Sequence, residues 1–198
     1  MCAVAWRAPD LVVPVVGFRQ WRLLGTSLHS LWSEVQWLSA ELRAECAVGA
    51  HDATDVPAKG CSCGIYAFYG PCPCTASALT PDLVGGVVIL WGSVELHATG
   101  MRAAHARIVG LELPLSHGRK RRTVIDVADR LGVRAVTHRA LRMVGAEQGA
   151  PLQHSLRPRR DWVAPGTGQP IGVVPRATML AQGGREVLPT FCKRRRDQ

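Results

Sequence analysis

Thiol and imidazole groups are concentrated in one stretch of the chain, residues 46–74. A structural zinc ion takes four such ligands in a tetrahedron. Two sets of four compete for this role: a mixed set of Cys46, His51, Cys61 and Cys63, and an all-thiolate set of Cys61, Cys63, Cys72 and Cys74. Pro73 stiffens the last pair and removes a backbone N–H that could stabilise a thiolate. We therefore predict one zinc bound by the mixed set. The all-thiolate site, and free thiols without metal, are the alternatives.

The same stretch carries two carboxylates, Asp52 and Asp55. A catalytic zinc keeps an open coordination position and usually has a carboxylate base nearby. The sequence has no H-x-E or H-E-x-x-H pairing, no G-x-S-x-G and no phosphate-binding glycine loop. We therefore expect a structural zinc, with a metal-dependent enzyme as an alternative.

Positive charge is concentrated in the second half of this 198-residue chain. Residues 1–100 carry five Lys or Arg and eight Asp or Glu, whereas residues 101–198 carry nineteen and seven, a net charge of +12. The candidate nucleic-acid-binding residues are Arg119, Lys120, Arg121, Arg122, Arg134 and Arg139. Arginine suits phosphate contacts, although arginine also accumulates in proteins of high-GC genomes. DNA or RNA is the partner that this charge predicts.

A short string in the basic half, residues 127–133, is similar to the helix-turn-helix signature of bacterial repressors. Ala128, Leu131 and Val133 would lock two helices, with Gly132 at the turn. In that arrangement Arg134 and Arg139 would approach bases. The plainer interpretation is a pair of amphipathic helices packed on the rest of the protein.

The hydrophobic pattern predicts the elements that position these residues. Residues 10–113 are rich in short Val-, Ile- and Trp-containing runs, with a hairpin turn at 97–100. Helical patterns follow at 123–131 and 137–147, and Pro, Gly and Arg dominate from 151. We predict an α+β fold made of a small, mostly antiparallel β domain, as a sheet or partly open barrel, with a zinc-binding loop. A short helical pair and a disordered basic tail follow. The predicted units are 1–115, 116–150 and 151–198.

Composition also limits the class of protein. About 47% of residues are hydrophobic, which permits a sizeable core. The longest apolar run, 83–91, is too short to span a membrane, and the N-terminus is a poor match to a signal peptide. We expect a cytoplasmic, zinc-stabilised protein that binds nucleic acid or has a regulatory role. A protein–protein adaptor is the main alternative.

Several motifs within residues 17–113 occur in a distinctive order. They are G-F-R-x-W-R from Gly17, then Cys46 and His51, C-S-C-G-I-Y-A from Cys61, V-I-L-W-G-x-V from Val88, His97, and G-x-R-A from Gly100. This order resembles a family of proteins from actinobacteria and their phages that has no assigned activity. The resemblance implies the mixed metal set and no particular reaction. The chain departs from the family pattern after His97, where an acidic residue is usual, and at His105, where an aromatic residue is usual.

Overall fold

A computed structural model describes residues 6–7, 13–31, 33, 35–72 and 82–158. Its strands are β1 (Trp6–Arg7), β2 (Val15–Leu24), β3 (Ser27–Ser30), β4 (Gln36–Trp37), β5 (Glu41–Arg43), β6 (Ile65–Phe68), β7 (Leu83–Leu96), β8 (Gly100–Glu112), β9 (Arg134–Val136) and β10 (Ala150–Pro151). Its α-helices are α1 (Arg119–Leu131) and α2 (Leu141–Ala146). The prediction of a mixed α+β fold with a mostly antiparallel sheet is confirmed. Neither helix has the length and apolarity that a membrane crossing needs within this described part.

Four strands pair in a closed ring. Strand β7 pairs with β2 on one side and β8 on the other, and β6 pairs with both β8 and β2. The ring leaves little room at its centre. A Cβ atom on Gly17 would lie 2.7 Å from the Cβ of Ala67 and 2.9 Å from the Cδ1 of Leu90. Glycine is therefore the residue that lets β2, β6 and β7 approach one another here.

The core is filled by side chains from the ring strands and from the short strands beside them. The rings of Trp21 and Trp37 pack edge to face, with centroids 5.5 Å apart and planes at 86°. Both side chains are essentially buried, as are Leu28, Met101 and Ile108. Trp21 and Trp37 thus contribute large apolar side chains to the core of the sheet.

The long hairpin of β7 and β8 is the framework of the fold. The predicted turn lies where expected, with the N–H of His97 donating to the carbonyl of Gly100 at 2.8 Å. Pairing across this hairpin places Glu95 opposite Arg102 and Trp91 opposite His105. The latter pair stack with planes at 12°. His97 and His105, which lie on either side of the turn, therefore have different partners: His97 stacks on Tyr66 and His105 stacks on Trp91.

The structure does not form the helix-turn-helix that residues 127–133 resemble, and it agrees with the plainer interpretation of helices packed on the rest of the protein. A strand, β9, lies between α1 and α2, and β9 pairs in parallel with β8. The chain therefore forms a β–α–β unit from β8, α1 and β9. One face of α1 packs in the core through Val124, Val127 and Ala128. The periodicity that is similar to a helix-turn-helix signature is the pattern of a crossover helix packed on its sheet.

The predicted C-terminal tail begins within the described residues. Strand β10 pairs in parallel with β2, and Leu152 is buried in the core. A short 3-10 helix follows at His154–Leu156. The remainder, from residue 159 and including the basic cluster 193–196, lies outside the described residues.

Candidate metal centre

The predicted metal-binding residues lie in one long connection, residues 44–64, which we call the ligand loop. It joins β5 to β6, and both of these strands pair with β8. The loop begins at Ala44, whose N–H donates to the carbonyl of Ala104 at 2.7 Å. It ends at Cys63 and Gly64, immediately before β6. Because both ends are anchored on one strand, the two ends of the loop are brought together.

The structure brings Cys46, His51, Cys61 and Cys63 into one group, in which the candidate ligand atoms all lie within 4.8 Å of one another. The Sγ atoms of Cys46 and Cys61 are 3.9 Å apart. Zinc–sulfur bonds of about 2.3 Å at tetrahedral angles place two sulfur atoms about 3.8 Å apart. Three thiols and one imidazole at this spacing fit a single tetrahedral metal ion. The three cysteines are free thiols, and Cys63 is the most buried of them.

Backbone N–H groups stabilise the thiolates. The N–H of Ala50 is the main cause that lowers the pKa of Cys46. A turn builds this contact: the N–H of Gly49 donates to the carbonyl of Cys46 at 3.0 Å, and Gly49 has a positive φ of 62°. The N–H of Ala58 donates to the Sγ of Cys63 at 3.3 Å. Burial raises the pKa of Cys63, an effect that a bound cation would oppose.

A buried arginine holds the second half of the ligand loop. Arg102 of β8 donates to the carbonyl oxygens of Ala58 at 3.1 Å and Cys63 at 2.8 Å, and also to that of Cys61. Its Nε lies 2.9 Å from a carboxylate oxygen of Glu95, its pairing partner on β7. Both residues are buried. The charge on the guanidinium is thus neutralised while its N–H groups fix three carbonyls beside the sulfur ligands.

In the sequence, Arg102 is singled out only as the arginine of the G-x-R-A motif and Glu95 is not singled out, although the sequence carries a signal for their pairing. Glu95 and Arg102 carry opposite charges and lie at equal distances from the centre of the predicted turn. Antiparallel pairing places such residues opposite each other. The polarity of Arg102 by itself predicts only a polar position on the strand that follows the turn, and not a buried ion pair.

Aromatic and imidazole groups adjoin the pair. The Nε2 of His97 lies 3.3 Å from the second carboxylate oxygen of Glu95, and burial lowers the pKa of His97. The Tyr66 ring stacks on His97 with centroids 6.3 Å apart. The hydroxyl of Tyr69 donates to the carbonyl of His97 at 2.7 Å. These contacts order the surface between the ligand loop and the hairpin turn.

Within the described part of the chain, neither the remaining cysteine, Cys72, nor the carboxylates of Asp52 and Asp55 join the group. Cys72 is disulfide-bonded, which the expectation of reduced thiols did not predict. Cys2, Cys74 and Cys192 lie outside the described residues. Asp52 and Asp55 flank a 3-10 turn and are exposed. The structure therefore assembles the mixed set, while Cys72 of the all-thiolate alternative is engaged elsewhere.

The predicted nucleic-acid-binding residues are divided between three elements. Arg119, Lys120, Arg121 and Arg122 form the first turn of α1, which has no acidic residue and no side-chain N-cap. Arg119 and Arg122 are exposed. Arg121 donates to the carbonyl of Pro114, and burial lowers the pKa of Lys120.

Arg134 and Arg139 lie apart from this turn in the chain. Arg134 begins β9, beyond the far end of the 13-residue helix α1, about 20 Å from its first turn. It forms an ion pair with Glu147. Arg139 is exposed on the 3-10 helix His138–Ala140. The side chain of the neighbouring His138 pairs with the buried carboxylate of Glu112 at 2.8 Å.

Comparison of the chain with protein-family models, curated proteins and solved structures finds no match.

Proposed function

We propose that this protein is a zinc-stabilised nucleic-acid-binding protein, in which Cys46, His51, Cys61 and Cys63 bind one structural Zn²⁺. The observation that supports the metal is the grouping of four ligand atoms within 4.8 Å. Thiolate and imidazole are the ligands that zinc prefers, and four protein ligands leave no open position for a substrate. The zinc closes the ligand loop onto β8 and so couples metal binding to folding.

The metal is tested with the full chain, expressed in zinc-supplemented medium. We expect Cys61→Ser to lower both the zinc content and the melting temperature, because it removes one ligand from a closed site. Cys192→Ser, at a thiol outside the described residues, is the matched control and leaves both unchanged. Equal zinc content in Cys61→Ser and the unsubstituted protein would overturn the proposed ligand set.

Nucleic acid is the proposed partner because of the charge at the first turn of α1. Four consecutive basic residues precede any acidic residue there, and the backbone N–H groups of a helix N-terminus add further positive potential. This arrangement opposes the helix dipole and therefore costs stability, a cost that a bound phosphate offsets. Such contacts bind DNA or RNA with little sequence preference and weaken steeply with salt.

Mobility shift at about 50 mM and about 200 mM salt tests this partner. We expect Arg119→Ala/Arg122→Ala to weaken binding to all sequences alike and to flatten the salt dependence. Arg43→Ala, which removes an exposed arginine on β5, is the charge control. Absence of any shift at the lower salt concentration would contradict nucleic-acid binding and favour a protein–protein adaptor.

A further inference from the structure

We propose that the outward face of β6 is a stacking platform for unpaired bases of a single-stranded nucleic acid. This inference rests on the proposed nucleic-acid function, but it uses a surface remote in sequence from α1. Strand β6 alternates strictly: Ile65 and Ala67 are buried, whereas Tyr66 is 38% exposed and Phe68 is 44% exposed. Two aromatic rings therefore project from the same side of one strand.

Exposed aromatic side chains on a sheet have a known use in single-strand recognition. Residues two apart on a strand are separated by about 6.6 Å. RNA-binding sheets use exposed aromatic side chains on which two or three splayed bases stack. Duplex DNA keeps its bases stacked inside the helix, so this contact is available only to single strands.

The first ring of the platform is already held in place. The Tyr66 ring stacks on His97 with planes at 26°, and the guanidinium carbon of Arg102 lies 6.0 Å from its centroid. Arg102 is in turn fixed by Glu95. A ring that is ordered before binding loses little conformational entropy when a base stacks on it.

The surroundings of the platform are cationic. Arg142 of α2 is exposed, and its guanidinium carbon lies 5.6 Å from the centroid of the Phe18 ring. Phe18 is the residue of β2 that pairs with Phe68, so this arginine lies near the platform. Arg157 lies over the ring of Tyr69, which follows β6, at 4.6 Å. The nearby carboxylate of Glu95 is buried and paired with Arg102. Aromatic rings flanked by guanidinium groups complement bases joined by phosphates.

Fluorescence anisotropy with the zinc-loaded full chain tests the platform. The probes are oligothymidylate and oligouridylate of about 15 nucleotides and a DNA duplex of the same length. We expect Tyr66→Ala and Phe68→Ala each to weaken single-strand binding by about 5- to 100-fold and to leave duplex binding unchanged. The two single-stranded probes show whether DNA or RNA is preferred.

Three further variants separate loss of stacking from loss of structure. Tyr66→Phe and Phe68→Tyr keep an aromatic ring, so we expect near-unchanged affinity for the single strand. Leu38→Ala removes an apolar side chain that is 80% exposed outside β6, and it should have no effect. Zinc content and melting temperature are measured for every variant.

The outcomes distinguish this inference from the function on which it rests. Single-strand affinity that is unchanged in folded Tyr66→Ala and Phe68→Ala overturns the platform, while binding through α1 stands. Equal loss of affinity in the alanine and the aromatic variants also overturns it, because stacking is then not the cause. If the unsubstituted protein binds neither single strands nor the duplex at low salt, the proposed nucleic-acid function and the platform both fail.

Discussion

Replacing Arg102 by Met tests whether its buried guanidinium holds the ligand loop in place. The side chain of Arg102 is 3% exposed and that of its partner Glu95 is 9% exposed. Arg102→Met preserves much of the side-chain volume but leaves the carboxylate and three loop carbonyls without their donors. Breaking a buried ion pair by removing one partner costs about 3–5 kcal/mol. We expect the free energy of unfolding to fall by that amount and the melting temperature to fall by about 6–20 °C.

The assay is urea and thermal unfolding of the zinc-loaded protein, followed by circular dichroism. Arg107→Met is the matched control on the same strand, since the Arg107–Glu41 pair is 3.7 Å long and exposed at 41% and 61%. An exposed pair contributes at most about 1 kcal/mol. The double variant Glu95→Gln/Arg102→Met removes the lone buried charge, so we expect it to regain about 1–3 kcal/mol relative to Arg102→Met.

Two results would refute this assignment to Arg102. Equal losses of stability in Arg102→Met and Arg107→Met would show that the buried arginine contributes no more than an exposed one. Additive effects of the substitutions at Glu95 and Arg102 would show that the two side chains do not act as a pair.

The remaining predictions concern pH and packing. Burial lowers the pKa of His97 from its ordinary value, so on acidification the unfolded chain binds a proton at this residue before the folded protein does. The free energy of unfolding therefore falls as the pH decreases through about 6.5. His97→Gln should reduce this dependence of the free energy of unfolding on pH, as measured by urea titrations at several pH values. Gly17→Ala should cost about 1–3 kcal/mol by overpacking the ring of strands. Gly118→Ser, at the open N-cap of α1, should leave stability unchanged or raise it slightly. A stable Gly17→Ala variant would show that the ring is loosely packed.

The residues of the metal group could be predicted because their positions depend on short-range features. Four ligands of the correct type lie within 18 residues, and Pro73 between Cys72 and Cys74 disfavours the competing set. The hairpin could be predicted for a similar reason, since its turn and its two apolar runs are adjacent in the sequence. Closure of the strands into a ring could not, because it depends on the pairing of β2 with β7 and β6, far apart in the chain.

The resemblance to a helix-turn-helix was misleading because helical periodicity indicates a buried face but not what covers it, whereas the plainer interpretation of packed helices agrees with the structure. Ala128 and its apolar neighbours pack on the sheet of the same chain, and β9 separates the two helices. Strand β9 has only three residues and an arginine at its start, so its composition gave little indication of a strand. The aromatic pattern of β6 was likewise visible in the sequence, but the exposure of Tyr66 and Phe68 depends on which face the sheet buries.

Metal analysis combined with thiol titration of the purified full chain tests the central claim most directly. We predict one zinc per chain, with the thiols of Cys46, Cys61 and Cys63 protected from alkylation in the native protein and reactive after chelation. Chelation should also lower the melting temperature, because metal binding is coupled to folding of the ligand loop. A metal-free protein that is equally stable and has these three thiols unprotected would contradict the zinc centre.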